Sequence, residues 1–496
     1  MVALLSAFVL LGGGLIAGCA TNPQPTSSSS APPIAELPTP SVTPAVATGT
    51  PDASPPSPGP TAQPTTPEPS GTPGALPASS PVPAQLPVRE SAEYWADAVR
   101  MTPGPAGGLY LSIPTDRGFV VVLLDSTGKP RPGWPIALAD TLCYAPVPAA
   151  DGSIRVVCTL SDVNASRAYA FRSDGRPMAS WPVELPGLAW AAPRIIGDEL
   201  DVMTYGNPGA LRLVTVAPDG TVRTGTPYAT PDAQTWRAQL GPDGTGYLLA
   251  LPPTPATADT KITAFDLNGV RPGWLARVTG WATELAFGPE GRLYVTEGQE
   301  GKRPSRILVF DHAGRPLPIG SDALPVAATN DYQGAGPIGG LAPPIVAADG
   351  TSFFVSVDGG TTVYALDASG RVVAGWPYLE AIGLQWGYCA PGATGCGVWR
   401  ATPSVGPGDV LYLLHPPRDK TIGGSLVAIG PDGRVRPGWP VVLVRPGAEF
   451  RSVIVGPDGT AYAVVVEPEG GGHYSATLLA IAPDGTVRYR TAIVEP

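Results

Sequence analysis

Three histidines and five cysteines are the side chains of this 496-residue chain best suited to catalysis or metal binding. His312 falls in a predicted turn, whereas His415 and His473 begin predicted loops of neighbouring repeats. General acid–base catalysis needs a partner group within hydrogen-bonding distance, and the sequence places no nucleophile or carboxylate beside these histidines. The cysteine spacings match no zinc-binding pattern. The sequence therefore predicts no catalytic residue, no metal site and no cofactor.

Cys19 ends an uncharged, largely apolar segment that closes with Ile16-Ala17-Gly18-Cys19. This segment resembles a bacterial lipoprotein signal peptide, in which small residues before the cysteine admit the peptidase and the thiol carries diacylglycerol. The resemblance implies a signal peptide at 1–18, a lipidated Cys19 with membrane lipid as its partner, and an extracytoplasmic protein anchored to the cell membrane. A transmembrane helix is the alternative, but about 17 apolar residues is marginal for spanning a bilayer.

The other four cysteines form two near pairs. Cys143 and Cys158 are symmetric about a predicted turn at 150–151, so they would face each other on two antiparallel strands. Cys389 and Cys396 would close a short surface loop. We therefore expect two disulfides, which fit an oxidising compartment.

Composition separates a tether from a folded region. Residues 20–88 contain 20 prolines and no aromatic residue, lysine or arginine. Such a segment buries too little apolar surface to fold, so the sequence predicts a disordered linker over 19–90, which includes the lipidated cysteine. The formal net charge is −10, and the 31 basic residues are thinly spread. Nucleic acid is therefore not an expected partner.

From Tyr94 onward the chain repeats a turn that is followed by Trp-Pro, as in LDSTGKPRPGWP at 124–135 and IGPDGRVRPGWP at 429–440. A second turn, often Pro-Asp-Gly, precedes each copy. Two turns in each period of 45 to 63 residues indicate four strands per repeat, the pattern of a propeller blade. The glycines of the later turns mark eight copies: Gly128, Gly175, Gly220, Gly269, Gly314, Gly370, Gly433 and Gly485.

The sixth copy, with Tyr364-Ala365-Leu366-Asp367, Gly370 and Trp376, resembles the pyrroloquinoline-quinone-type propeller repeat of quinoprotein alcohol dehydrogenases. In this chain the glycine comes one residue earlier and the tryptophan one later than in that family. The resemblance implies an all-β, eight-bladed propeller over 91–496. It does not imply the cofactor, because no adjacent cysteine pair, calcium ligand or catalytic aspartate can be matched. The expected blades are 91–140, 141–187, 188–232, 233–280, 281–329, 330–383, 384–445 and 446–496.

Aromatic residues recur at two places in the repeat. Five tryptophans follow the later turn and are expected to pack between blades: Trp134, Trp181, Trp274, Trp376 and Trp439. Seven aromatic residues lie near the start of a predicted first strand: Trp95, Tyr144, Trp190, Trp236, Trp281, Trp399 and Phe450. Our hypothesis is that this second group lines one mouth of the central channel and binds a ligand. The alternative is that it caps the core.

The longest loops, including 330–340 and 384–399, fall on the same predicted face as this mouth, whereas short uniform turns close the other face. Variable loops on a rigid scaffold commonly carry function. The sequence thus favours a surface-displayed binding or scaffold module for a protein, peptide or glycan, rather than an enzyme. A quinone-dependent dehydrogenase or propeller hydrolase, and an envelope-protein assembly factor, are the alternatives.

Overall fold

The computed structural model describes residues 99–493 except 116–117, 141, 161–162, 207–208, 230–234, 252–258, 275, 279–280, 283–284, 299–305, 319–343, 357–360, 381–402, 416–420 and 471–472. The described residues form eight separate antiparallel sheets, arranged as the blades of a ring. The predicted all-β, eight-bladed propeller is therefore confirmed. Cys19, Cys389, Cys396, Trp95 and Trp399 lie outside the described residues.

The first four blades contain twenty strands. Blade 1 comprises β1 (Arg100–Pro103), β2 (Leu109–Thr115), β3 (Gly118–Leu124) and β4 (Ile136–Leu138). Blade 2 comprises β5 (Leu142–Cys143), β6 (Val147–Pro148), β7 (Ile154–Leu160), β8 (Ala165–Phe171) and β9 (Val183–Pro186). Blade 3 comprises β10 (Leu188–Ala189), β11 (Arg194–Ile196), β12 (Glu199–Gly206), β13 (Ala210–Val216), β14 (Val222–Thr224) and β15 (Tyr228–Ala229). Blade 4 comprises β16 (Thr235–Leu240), β17 (Gly246–Leu251), β18 (Thr260–Asp266), β19 (Gly269–Val270) and β20 (Ala276–Val278).

The last four blades contain sixteen strands. Blade 5 comprises β21 (Trp281–Ala282), β22 (Ala286–Phe287), β23 (Leu293–Gly298) and β24 (Arg306–Phe310). Blade 6 comprises β25 (Ile345–Val346), β26 (Ser352–Ser356), β27 (Thr361–Leu366) and β28 (Tyr378–Glu380). Blade 7 comprises β29 (Ser404–Gly406), β30 (Val410–His415), β31 (Ser425–Ile429) and β32 (Val441–Val442). Blade 8 comprises β33 (Glu449–Val455), β34 (Ala461–Gly470), β35 (His473–Ile481) and β36 (Val487–Ile493). Two single 3₁₀ turns lie at Pro105–Gly107 and Pro289–Gly291.

Four strand positions, A to D, run in chain order from the central channel outward, and short segments that pair with the same neighbour share one position. The A–B and C–D turns lie on one side of the ring, which we call the turn face. The B–C loops and D–A connections lie on the other side, which we call the long-loop face. None of the described residues forms a helix that is long and apolar enough to cross a membrane.

The turns are short because aspartate side chains close them. In the C–D turn of blade 6, Asp367 Oδ1 accepts the backbone N–H groups of Ser369 and Arg371 at 2.8 and 3.0 Å. The Ser369 hydroxyl and these N–H groups lower the pKa of Asp367. Gly370 then has φ 82°, a conformation that favours glycine. The repeated Asp and Gly of the sequence are therefore explained by one hairpin geometry.

The core lies between adjacent blades. Strand β3 has six buried residues in succession, because each blade is covered on both sides by its neighbours. One apolar cluster joins Leu111 and Val122 of blade 1 to Val464 of blade 8. The first and last blades therefore pack together as neighbours and close the ring.

Candidate functional site

The tryptophans after the C–D turns hold adjacent blades together, as the sequence predicted. Each indole is at least 92% buried, and each Nε1–H donates to a backbone carbonyl in the C–D turn of the next blade. The donor and acceptor pairs are Trp134 and Ser173 (3.3 Å), Trp181 and Pro218 (3.1 Å), Trp274 and His312 (3.0 Å), Trp376 and Pro431 (2.9 Å), and Trp439 and Pro483 (3.1 Å). Four of the five precede a proline in a cis peptide bond: Trp134, Trp181, Trp376 and Trp439.

Glycine precedes the docking tryptophan in four of the five corners, and Ser180 takes this place in blade 2. Gly133 and Gly438 have φ 87° and 85°, and a Cβ at either position would overlap the backbone carbonyl of Asp174 or Asp484 in the next blade. A side chain there would push the blades apart. The Gly-Trp-Pro sequence is therefore a docking corner, in which the glycine permits close approach and the indole makes the hydrogen bond.

A residue on strand B completes this corner, and the sequence analysis did not single it out. Aromatic rings in four blades lie 5.4 to 5.8 Å from the docking indole of the same blade: Tyr110, Tyr247, Phe353 and Tyr412. In blade 2 the corresponding side chain is Arg155, whose guanidinium carbon lies 5.1 Å from the Trp181 ring centroid. The signal was present in the sequence, because each of these residues follows the A–B turn at a nearly constant offset.

The inner strands are held by a disulfide within blade 2 and by polar contacts between blades, as well as by packing. The predicted disulfide between Cys143 and Cys158 is confirmed, and the two residues are register partners in β5 and β7. Strand A of blade 2 consists of two segments, β5 and β6, with a break at 144–146. In blade 4, Gln239 accepts the backbone N–H of Leu285 at 2.6 Å and donates to its carbonyl at 3.1 Å. Such contacts fix the positions of neighbouring blades around the channel.

The seven aromatic residues predicted to line a mouth do not share one environment. Tyr144 is partly buried and donates to the Ala189 carbonyl at 3.0 Å, and burial raises its pKa to about 12. Phe450 is 4% exposed and packs in the core of blades 7 and 8, so it does not line an opening. Trp190 is 43% exposed near the start of strand A, with its ring centroid 5.3 Å from that of Tyr205.

Two of the seven, Trp236 and Trp281, lie in β16 and β21, and their side chains are outside the described part of the structure. Phe450 was expected to line a mouth but faces the core, and strand alternation explains the difference. A one-residue change in register moves a side chain from the open side of a strand to the packed side, and the sequence did not fix that register.

Exposed apolar side chains are concentrated on the long-loop face. Of the ten large apolar side chains that are exposed in the described part of the chain, three recur at the C–D turns: Val270, Val372 and Val435. The other seven lie at B–C loops, at ends of strand D or at starts of strands A and C: Leu142, Val163, Trp190, Leu379, Ile422, Val444 and Tyr474. Exposed apolar clusters rimmed by polar groups are typical of interaction sites.

Six of these residues fall at the long-loop ends of two pairs of adjacent blades, blades 2 and 3 and blades 7 and 8. We call Leu142, Val163 and Trp190 the blade 2–3 patch, and Ile422, Val444 and Tyr474 the blade 7–8 patch. The two patches lie on either side of blade 1 in the ring.

Charged clusters lie at the same ends of the same blades. Beside the blade 2–3 patch, Asp140 accepts the Tyr169 hydroxyl at 2.5 Å and pairs with Arg167 at 3.3 Å. Beside the blade 7–8 patch, Arg445 makes two bonds to Glu469, at 2.8 and 3.2 Å. The hydrogen bond from Arg445 lowers the pKa of Glu469. Each patch thus combines apolar surface with oriented charge, as protein interfaces do.

The surroundings of two histidines are described. His415 is buried at the end of β30, and the His312 carbonyl accepts the indole N–H of Trp274. The side chain of His473 lies outside the described part of the structure. Within the described part of the chain, no three His, Cys, Asp or Glu side chains are close enough together to hold a metal ion.

No protein-family model matches this chain. No curated protein matches it either. The predicted resemblances to lipoprotein signal peptides and to the pyrroloquinoline-quinone repeat therefore stay predictions.

Several solved structures are similar in fold. The β-propeller domain of the Trilobed protease from Pyrococcus furiosus has 11% identity and a TM-score of 0.38, over 66% of this chain and 92% of that chain. A prolyl endopeptidase has 16% identity and a TM-score of 0.44, over 81% of this chain and 53% of that one. Puromycin hydrolase has 18% identity and a TM-score of 0.38, over 78% of this chain and 62% of that one. The eight-bladed β-propeller fold of this chain is shown by its own eight sheets.

Proposed function

We propose that this protein is an extracytoplasmic, lipid-anchored binding module whose long-loop face holds a protein partner. The observation that carries this proposal is the concentration of exposed apolar side chains on that face, in the blade 2–3 and blade 7–8 patches. The oriented ion pairs beside them supply the charge that fixes a partner's register. A peptide would use the same chemistry, whereas a glycan would make less use of aliphatic side chains such as Val163 and Val444.

The location is supported by the disulfide and by the sequence of the first nineteen residues. Disulfides persist in oxidising compartments and are rare in the cytosol, and Cys143 is bonded to Cys158. If Cys19 carries lipid, the Cys19→Ser variant should leave the membrane fraction for the soluble fraction. Retention of this variant on membranes would contradict the anchor.

Binding is tested by affinity capture from envelope extracts with quantitative mass spectrometry. The test variant carries Val163→Asp and Val444→Asp, one in each patch on the long-loop face. The matched control carries Val372→Asp and Val435→Asp, which are exposed valines on the turn face. We expect the captured partner to be depleted about tenfold or more by the test variant, because a buried unpaired charge opposes binding, and to be unchanged by the control.

The outcome that would contradict the proposal is equal capture by both variants. Cofactor-dependent turnover in a redox dye assay with added quinone and calcium would instead support the dehydrogenase alternative. Hydrolysis of peptide or ester substrates by the purified chain would support the hydrolase alternative.

A further inference from the structure

The central channel holds a cavity of about 400 Å³ at its turn-face end. Strand A of the first three blades forms most of its wall, with Thr102 in β1, residues 145–148 around β6, and residues 192–196 around β11. Pro242, in the A–B turn of blade 4, completes the described lining. None of these residues belongs to the blade 2–3 or blade 7–8 patch. A ligand in this cavity would therefore be distinct from the proposed partner on the long-loop face.

Arg194 is the charged residue of this lining. Its guanidinium carbon lies 5.7 Å from the ring centroid of Phe287. Arg194 belongs to β11 of blade 3 and Phe287 to β22 of blade 5, so the side chain reaches past blade 4 along the channel. Stacking on a ring face leaves the edge N–H groups of a guanidinium in the plane where they can meet an acceptor.

Arg194 is partly buried, and in the described part of the chain it lacks the ion pair that two arginines of blade 8 have. Arg451 lies 3.3 Å from Glu449, and Arg490 lies 3.3 Å from Glu467. Among the described residues, no carboxylate lies within ion-pairing distance of Arg194 and none accepts a hydrogen bond from it. Burial lowers the pKa of the guanidinium. A bound anion would supply the counter-charge that the described residues do not.

The rest of the lining defines the kind of anion. Apart from Arg194 and the Thr102 hydroxyl, the described wall consists of alanine, proline, valine and isoleucine side chains. One cation matches one negative charge, and the described lining holds no second cation to balance a polyanion such as phosphate. The apolar wall favours a ligand whose remaining atoms are apolar.

We propose that this cavity binds a small organic monocarboxylate with an apolar body. The carboxylate accepts two N–H bonds from the planar fork of Arg194, and the apolar body packs against Pro146, Pro148 and Ile196. A free carboxylic acid and the C-terminal carboxylate of a peptide both offer this chemistry.

Isothermal titration of the purified full chain at neutral pH tests the site, with phenylacetate as probe and phenylacetamide as its uncharged analogue. We expect phenylacetate to bind at least tenfold more tightly than the amide, because the charge-assisted bonds to Arg194 are lost. Arg194→Gln should weaken phenylacetate binding at least tenfold. Arg194→Lys should cause a smaller loss, because it keeps the charge without the fork. Arg172→Gln removes an exposed arginine from the turn face, and it should leave the affinity unchanged.

A second variant keeps the test informative if Arg194→Gln does not fold. Ala192→Phe fills the cavity and retains Arg194, and it should also abolish binding. Absence of phenylacetate binding, equal affinity in Arg194→Gln, or preferential binding of inorganic phosphate would overturn the proposal.

Comparison with N-acetyl-Ala-Phe distinguishes a free carboxylic acid from the C-terminal carboxylate of a peptide. Tighter binding of the dipeptide acid, lost on amidation, identifies a peptide terminus, whereas tighter binding of phenylacetate identifies a free acid.

Discussion

At the scale of single residues, the docking tryptophans perform two tasks at once. Each indole fills the space between two blades, and its N–H satisfies a carbonyl of the next C–D turn. Trp376 illustrates both, because it is 7% exposed and donates to the Pro431 carbonyl at 2.9 Å. Packing and hydrogen bonding contribute different amounts to the free energy of unfolding, so two substitutions separate them.

We predict that Trp376→Phe lowers the free energy of unfolding by about 1–3 kcal/mol, because it keeps a ring but leaves the Pro431 carbonyl without its donor. Trp376→Ala should cost more, about 3–5 kcal/mol, because it also leaves a cavity. Urea unfolding followed by circular dichroism measures both. Trp190→Phe is the control at an exposed tryptophan and should change stability by about 0.5 kcal/mol or less. Equal losses for Trp376→Phe and Trp190→Phe would contradict the docking role.

At the scale of strands, the disulfide of blade 2 joins the innermost strand to its neighbour. Strand A of this blade consists of two short segments, β5 and β6, so few backbone hydrogen bonds hold it. The Cys143–Cys158 bond spans 15 residues and anchors the first segment. It lies directly before Tyr144, whose hydroxyl contacts blade 3.

We predict that the double variant Cys143→Ala/Cys158→Ala loses about 3 kcal/mol of unfolding free energy, the loop-entropy value for a 15-residue closure. Chemical denaturation of the oxidised and variant proteins gives the difference. Reduced wild-type protein is the control and should approach the stability of the double variant. Peptide mapping of the unreduced chain should show Cys143 linked to Cys158. Free thiols at these positions, or no loss of stability, would refute the prediction.

How much the sequence predicted depends on the range over which each feature is encoded. The eight blades and the Cys143–Cys158 pairing follow from turns and alternation within one repeat, and both are confirmed. Phe450 was wrongly predicted to line a mouth of the channel. It lies in the core, and the register at the start of its strand is set by packing against another blade. The sequence did not predict the cavity at Arg194, because residues of blades 3 and 5 come together past blade 4 only in the folded ring.

At the scale of the whole molecule, the ring closes without a strand shared between the first and last blades, because the described strands of each blade are contiguous in sequence. Two side chains of blade 8 bridge the closing seam. Tyr462 donates to the Gly107 carbonyl at 2.9 Å, and Thr491 donates to the Gly128 carbonyl at 3.0 Å. Blade 7 makes the equivalent of the first contact, since Tyr412 donates to the Gly459 carbonyl at 3.4 Å. The tyrosine contact of the closing seam thus repeats one contact of an internal seam.

The closing seam also differs from the internal ones in chain connectivity. Blades 7 and 8 are neighbours in the chain and stay close together when their contacts break, whereas blades 8 and 1 are separated by the whole ring. Local opening should therefore concentrate at blades 8 and 1. We predict that Tyr462→Phe with Thr491→Val increases amide hydrogen exchange in β1, β2, β35 and β36 and lowers the free energy of unfolding by about 2 kcal/mol, roughly 1 kcal/mol for each lost hydrogen bond.

Hydrogen-exchange mass spectrometry of the native protein measures this effect, and Tyr412→Phe is the matched control at the internal seam. The control should raise exchange only slightly in blades 7 and 8, because the chain connection keeps the two blades in register. If the double variant raised exchange evenly across all eight blades, the ring would open as one cooperative unit rather than at the 8–1 seam. If the control opened blades 7 and 8 as much as the double variant opens blades 8 and 1, chain connectivity would not be what distinguishes the seams.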